Sequence, residues 1–254
     1  MSRSNTTENA RNPSTRWFEW HGSKGQINYW DKEAQKKVFL GLPFTFLVLD
    51  ELATVRGFHE PSNSGVFANE VRDTRQDTLL VRAYEGGELA SGLYATIRDR
   101  VKAQGGYFQA SCYIGYKDGD ALRIGNLGFN GAALSAWTEF KKQCPDKTNA
   151  SGKRVRGFYV DAVSIVGAEE RVKGATHYKI PCFALKAVGA ETNDQAVKLD
   201  AELQEFFKDY FSRTRTDQTA KPAAPAPAEH DEPSQPARAP VAAGDGFEDA
   251  DIPF

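Results

Sequence analysis

The chain has 254 residues, 32 of them basic and 34 acidic, for a net charge of −2 and a pI near 6.1. Sixteen Phe, nine Tyr and four Trp supply a sizeable core, enough for one large domain or two small ones. Cys112, Cys144 and Cys182 are odd in number and widely spaced, which excludes a disulfide framework, and no pair has zinc-ligand spacing. The polar start lacks a signal-peptide run, and the longest apolar stretch, Val38 to Leu49, contains Pro43 and is too short to span a bilayer. A soluble cytoplasmic protein is expected.

Residues 1 to 15 are polar and read as disordered, and Trp17-Phe18-Glu19-Trp20 opens the folded part. Phe44 to Val55 has the content of a buried strand. After a loop at Pro61 to Gly65, Val66 to Val71 and Thr78 to Tyr84 read as two further strands. Leu93, Ile97 and Val101 recur every four residues, so Leu89 to Gln104 is expected to be a helix that Gly105-Gly106 stops. Tyr107 to Tyr116 and Ala121 to Phe129 flank Lys117-Asp118-Gly119-Asp120, a hairpin signal. Ala132 to Lys142 places Ala133, Leu134, Trp137 and Phe140 on one helical face. Val155 to Val166 and His177 to Val188 read as strands separated by a charged loop, Glu169 to Lys173. Thr192-x-x-Gln195 has the pattern of a capping box and opens a helix ending near Phe211.

The order strand, strand, strand, helix, hairpin between about 44 and 129 is that of an OB-fold. The expected fold is therefore mainly β, or α+β. It consists of an OB-fold-like five-stranded barrel with added helices and strands over 16–212, a Pro/Ala-rich disordered linker over 213–244, and an acidic tip over 245–254.

No Gly-x-x-x-x-Gly-Lys-Ser/Thr loop is present, and His21, His59, His177 and His230 stand outside any catalytic or metal-binding motif. No catalytic residue, cofactor or metal ligand is assigned. The body does combine cations with aromatic rings. Trp17, Trp20, Tyr29 and Trp30 lie among Arg16, Lys24, Lys32, Lys36 and Lys37, and further on come Arg72, Arg75, Arg82, Tyr84, Tyr107, Phe108, Tyr113 and Tyr116. Single-stranded DNA needs both ingredients, cations for the phosphates and flat faces on which bases stack. The candidate contacts are Trp17, Trp20, Trp30, Lys36, Arg72, Arg75, Arg82, Tyr84, Tyr107 and Tyr113. Each taken singly also fits an ordinary core aromatic or a solvated cation.

The charge divides along the chain. From Asp217 onward there are eight acidic and two basic residues, a net −6, which leaves 30 basic against 26 acidic residues in the body. The tail ends in Asp245-Gly-Phe-Glu248-Asp249-Ala-Asp251-Ile252-Pro253-Phe254. An apolar tip on a solvated tether reads as a peptide displayed for a partner. Asp249 and Asp251 suit a basic rim, Phe254 offers a ring and the terminal carboxylate, and Pro253 lowers the entropy lost on docking.

This ending resembles the acidic Ile-Pro-Phe tip of bacterial single-stranded DNA-binding proteins. The body does not match the usual bacterial domain, and the looser resemblance is to phage-encoded members, which keep the tail and an OB-fold. The resemblance implies a body that coats single strands without sequence specificity during replication, recombination and repair. It implies a tip (Asp249, Asp251, Ile252, Pro253, Phe254) that recruits partner enzymes, and a tail that competes with DNA for the groove. Membrane contact is not expected, and self-association is left open. A strand-annealing recombination protein, a metal-dependent nuclease with a borrowed tip and a phage adaptor are the alternatives.

Overall fold

The computed structural model describes residues 11–149, 151–213 and 215–219. Half of these residues are in strands and about a quarter in helices, so the protein is mainly β. The elements in chain order are β1 (Arg16–His21), β2 (Gln26–Asp31), β3 (Lys36–Leu40), β4 (Phe44–His59), β5 (Ser64–Ala68), β6 (Leu79–Ala83), β7 (Gly87–Gly92), α1 (Tyr94–Ala103), β8 (Gly106–Asp118), β9 (Ala121–Asn130), α2 (Gly131–Gln143), β10 (Asp146–Thr148), β11 (Arg154–Arg156), β12 (Ala162–Lys173), β13 (Thr176–Lys186), α3 (Ala190–Ser212) and α4 (Arg215–Gln218).

One mixed sheet of eleven strands organises the molecule. Its path runs β3-β2-β1-β9-β8-β4-β5-β6-β7, with the β12–β13 hairpin joined to β4. The long strand β4 is the spine. One edge carries β8 from Phe46 to Gly57, while the other is shared by β12 at Phe44–Phe46, a bridge from Ala53 to Val71, and β5 at Arg56–His59. Among the described pairings, β1 lies parallel on the outer side of β9, and β3 and β7 end the path.

Side chains of a strand alternate between faces, so the registers assign each residue a side. Phe18, Ile27, Phe46, Val48, Ala110, Cys112, Ile114, Leu127 and Phe129 point to one face and pack beneath Leu134 and Trp137 of α2. Trp137 is fully buried, stacks on Phe129 with centroids 5.2 Å apart, and donates Nε1 to Glu51 Oε2 at 2.8 Å. On the same face, α1 sets Tyr94, Ile97 and Val101 over Val55, Val66, Leu79 and Val81. Burial of each such side chain stabilises by roughly 1.5–3 kcal/mol. The opposite face is covered in one region by α3, whose Leu203, Phe206, Phe207 and Tyr210 pack on Leu49, Leu52, Tyr113 and Ile124.

Several expectations need correction. Residues 89 to 92 are not helical: they close β7, and Leu89 and Ala90 enter the α1 core from a strand. Gly92, at φ +149°, turns the chain before α1. The four-residue spacing alone could not tell the preceding Leu89 from helix. The charged stretch Glu169–Lys173 is not a loop but continues β12, paired through Lys173 with Thr176, and Gly174 at φ +58° makes the turn. The single strand expected over 155–166 divides into β11, a 3₁₀ turn at Gly157–Tyr159 and the start of β12. Thr192 and Gln195 lie inside α3, which begins at Ala190 after Gly189 with no side-chain cap. Asn12 and Thr15, expected to lie in a disordered start, are bonded to the sheet: Thr15 N donates to Ile124 O at 2.8 Å and Asn12 Nδ2 to the Tyr113 hydroxyl at 3.1 Å. The linker expected from 213 begins with α4, and Thr219 is buried. The acidic tip, 245–254, lies outside the described residues.

Candidate nucleic-acid interface

The face opposite α1 and α2 carries exposed side chains at two ends, while Asn28, Asn126, Ser111, Gln109 and Thr54 between them are buried, and cross-strand registers define its rows. At one end, β1, β2 and β3 turn outward Trp17, Glu19 and His21, then Asn28 and Trp30, then Lys37 and Phe39, because Phe18 pairs with Tyr29 on the core side and Trp30 pairs with Lys37. Trp17 is 38 % exposed. The Lys32 ammonium stands 5.5 Å from the Trp17 ring and that of Lys24 stands 3.6 Å from Phe39. His21 meets Phe39 edge-on at 5.3 Å. Its pKa is held below the usual imidazole range by partial burial and then by Lys24 and Lys37.

At the other end, the register Tyr107–Arg56–Phe67–Arg82 runs across β8, β4, β5 and β6. Tyr84 stacks on Phe67 with centroids 4.5 Å apart. Tyr107 is 41 % exposed, and its phenol is pushed up to about 12, chiefly by desolvation, with Glu19 adding to the shift and Arg56 opposing it. Burial likewise raises Tyr84, again opposed by Arg56. The Arg56 guanidinium therefore serves both phenols. Neither Arg56 nor Arg82 forms an ion pair among the described residues, so both charges remain available to an anion.

Of the ten sequence-derived candidates, Trp17, Trp30, Arg82, Tyr84 and Tyr107 lie on this open face. The other five do not. Tyr113 is 0 % exposed beneath α3, and its hydroxyl donates to Glu70 Oε2 at 2.6 Å, so it cannot stack on a base. Trp20 faces the core side, half-buried, and donates Nε1 to Lys179 O at 2.8 Å. Lys36 pairs with Asp31 on the core side of the ladder, and its neighbour Lys37 takes the outward place. Arg72 is bound to Asp50 at 3.0 Å and lies 5.3 and 5.2 Å from the Phe207 and Phe211 rings, where it clamps α3. Arg75 is tied to Asp73 at 3.1 Å. Arg72 and Arg75 also line a cleft of about 240 Å³ with Glu51, Thr138 and Lys141, in which the Glu51 carboxylate is already taken by Trp137 and by Lys141 at 2.5 Å.

The sequence reading missed Arg56, whose signal was its place two residues after Thr54 in an alternating run. It also passed over Phe39 and the choice of Lys37. Among the described residues, no three His, Cys, Asp or Glu side chains form a group able to hold a metal, all three cysteines are free, and no helix is long and apolar enough to cross a membrane. No family model, no curated protein and no solved structure matches this chain.

Proposed function

We propose that this chain binds single-stranded DNA along the open face of its sheet, and that its acidic tip receives partner enzymes of replication, recombination and repair. The observation that carries the reading is the interleaving of accessible rings, on one face, with cations that form no ion pair among the described residues: Trp17 and Trp30 with Lys32 and Lys37 at one end, Tyr107 and Tyr84 with Arg56 and Arg82 at the other. Rings take bases at about 1–3 kcal/mol each, and cations release counterions from the phosphates. The order β4, β5, β6–β7, α1, β8, β9, with β4 flanked by β5 and β8, supports an OB-like reading of residues 44–129. The tail bears on the second half of the proposal through its Asp-Ile-Pro-Phe ending and net −6 charge.

Titration of the intact protein with oligo-dT tests the first half. Trp137 is buried and Trp20 is bound to backbone, so quenching would come from Trp17 and Trp30 and would weaken as salt rises. No quenching and no gel shift would overturn the reading, while magnesium-dependent loss of a labelled strand would favour a nuclease. Removal of 249–254 is expected to abolish capture of host repair enzymes while leaving DNA affinity unchanged or raised at low salt. A large fall in DNA affinity would contradict this division of labour.

A further inference from the structure

Between Trp17 and Tyr107 this face presents no cation, and Asn28, Asn126, Ser111 and Gln109 there are nearly buried around the exposed Glu19. Glu19 stands opposite Asn28 on β2 and opposite Gly128 on β9, and Gly128 in turn faces Ser111 on β8. Gly128 therefore leaves a gap in the row of side chains, and the carboxamide of Gln109 leans into it. A Cβ on Gly128 would fall 2.5 Å from Gln109 Nε2. Gln109 is 7 % exposed, and its carboxamide has no hydrogen-bond partner among the described residues. Its amide atoms are not sealed from solvent, so the carboxamide is free to donate to and accept from a ligand at the surface. Across the gap, the exposed Glu19 carboxylate has no ion pair or side-chain hydrogen bond among the described residues. It acts electrostatically on the Tyr107 phenol.

A carboxylate in the middle of a strand-binding face repels phosphate, so its presence needs a different partner. A carboxylate accepts two parallel donors, and a carboxamide supplies N–H to an acceptor beside them. Of the four bases, guanine alone carries two adjacent donors on its pairing edge, N1–H and the 2-amino group, with the O6 acceptor next to them. Cytosine and adenine each present a single amino donor, and thymine would turn a carbonyl oxygen toward the carboxylate. Unpaired bases are read in this way, by stacking on a ring and hydrogen-bonding along the pairing edge.

We propose that Glu19 and Gln109, on either side of Gly128, form a notch that takes one guanine base, flanked by the Trp17 and Tyr107 rings. This deepens the single-strand reading and rests on it. Most of the strand would be held without regard to sequence, and one position would prefer guanine.

The test is fluorescence titration of the full chain with a dT oligonucleotide, the same oligonucleotide carrying one internal guanine, and a third with hypoxanthine in its place. Hypoxanthine keeps N1–H and O6 but lacks the 2-amino donor. The guanine strand is expected to bind about tenfold tighter than the all-thymine strand, the gain of one good base-edge pair, and the hypoxanthine strand to lose most of that gain. Glu19→Gln is expected to erase the guanine preference while binding the all-thymine strand about two- to threefold tighter, through loss of one negative charge. Gly128→Ala, which displaces the Gln109 carboxamide, is expected to reduce the preference and leave all-thymine affinity in place. Equal wild-type affinity for guanine and thymine strands, or a preference that survives in Glu19→Gln, would overturn the notch while leaving single-strand binding intact. Failure to bind any of the three strands would overturn the underlying reading instead.

Discussion

The Tyr113 hydroxyl donates to Glu70 Oε2 at 2.6 Å beneath α3, while its ring meets Phe207 edge-on with centroids 5.0 Å apart. Ser111 donates to the other oxygen of the same carboxylate, and the Glu70 backbone N–H donates to the Tyr210 hydroxyl at 2.7 Å. This network fastens α3 to the sheet. Tyr113→Phe leaves one carboxylate oxygen short of a donor in a covered site. It is expected to lower stability by about 1–3 kcal/mol, read as a fall in thermal midpoint, with oligo-dT affinity of the folded protein unchanged. Weakened DNA binding without loss of stability would place the ring in the interface after all.

The reverse pattern is expected for the exposed rings. Trp17→Ala is expected to leave circular dichroism and the melting midpoint nearly unaltered, because the ring projects from the open face. DNA binding is expected to weaken by about 1–3 kcal/mol for the stacked base it loses. Trp30→Ala follows the same logic. Collapse of the fold in either variant would assign the ring to the core.

Arg56 and Arg82 lie in one cross-strand row. Replacing both with Ala is expected to weaken binding to all sequences alike and to flatten the dependence of log affinity on log salt. The slope should fall by about 0.7 for each phosphate contact removed. An unchanged slope in a titration series at several salt concentrations would remove these two cations from the path.

His21 supplies a pH dependence. In the free protein, burial and the nearby Lys24 and Lys37 hold its pKa below the usual value of 6.5. A bound phosphate would favour the imidazolium and raise that pKa, so binding takes up a proton, and affinity rises as pH falls through the raised bound-state pKa until the free imidazole is protonated as well. One added charge near a phosphate corresponds to about a threefold gain. Titration at pH 7.5 and 5.5 is expected to show the gain in the wild type and its loss in His21→Gln.

Alkaline pH acts on stability. Burial holds the Tyr113, Tyr159 and Tyr210 phenols above their usual value of 10, and Glu70 adds to the shift at Tyr113 and Tyr210. Above pH 10 the unfolded chain releases these protons while the folded chain retains them. The unfolded state then binds fewer protons, and stability falls as pH rises. Urea midpoints are expected to be level across pH 7–8, to slip near 9 as the thiols of Cys112 and Cys144, also raised by burial, titrate in the unfolded chain, and to drop further above 10, with a smaller drop in Tyr113→Phe.

The long local signals were legible in the chain. Asp118-Gly119 between two apolar runs marked the β8–β9 hairpin, and Leu134, Trp137 and Phe140 at helical spacing marked α2. These follow from nearest-neighbour chemistry: turn residues accept turn dihedrals, and a helix repeats its face every three to four positions. Leu89 misled because a strand residue happened to continue the helical period of Leu93. The β1–β3 meander is not legible in the chain, because its strands of six, six and five residues give too short an alternation among clustered rings and cations.

By itself the sequence determined the mainly β body, the charge division between body and tail, and a supply of rings and cations sufficient for a single strand. It could not say which of them face solvent. Trp17 and Trp20 differ by three positions and fall on opposite faces; Tyr107 and Tyr113 share a face, yet α3 covers one and leaves the other open. Side-chain direction within a strand is a matter of two-residue alternation, but what covers each face is decided by a helix eighty or more residues further along. Long-range packing therefore separated the core aromatics from the open face, and it brought Glu19, Gln109 and Gly128 together from three strands.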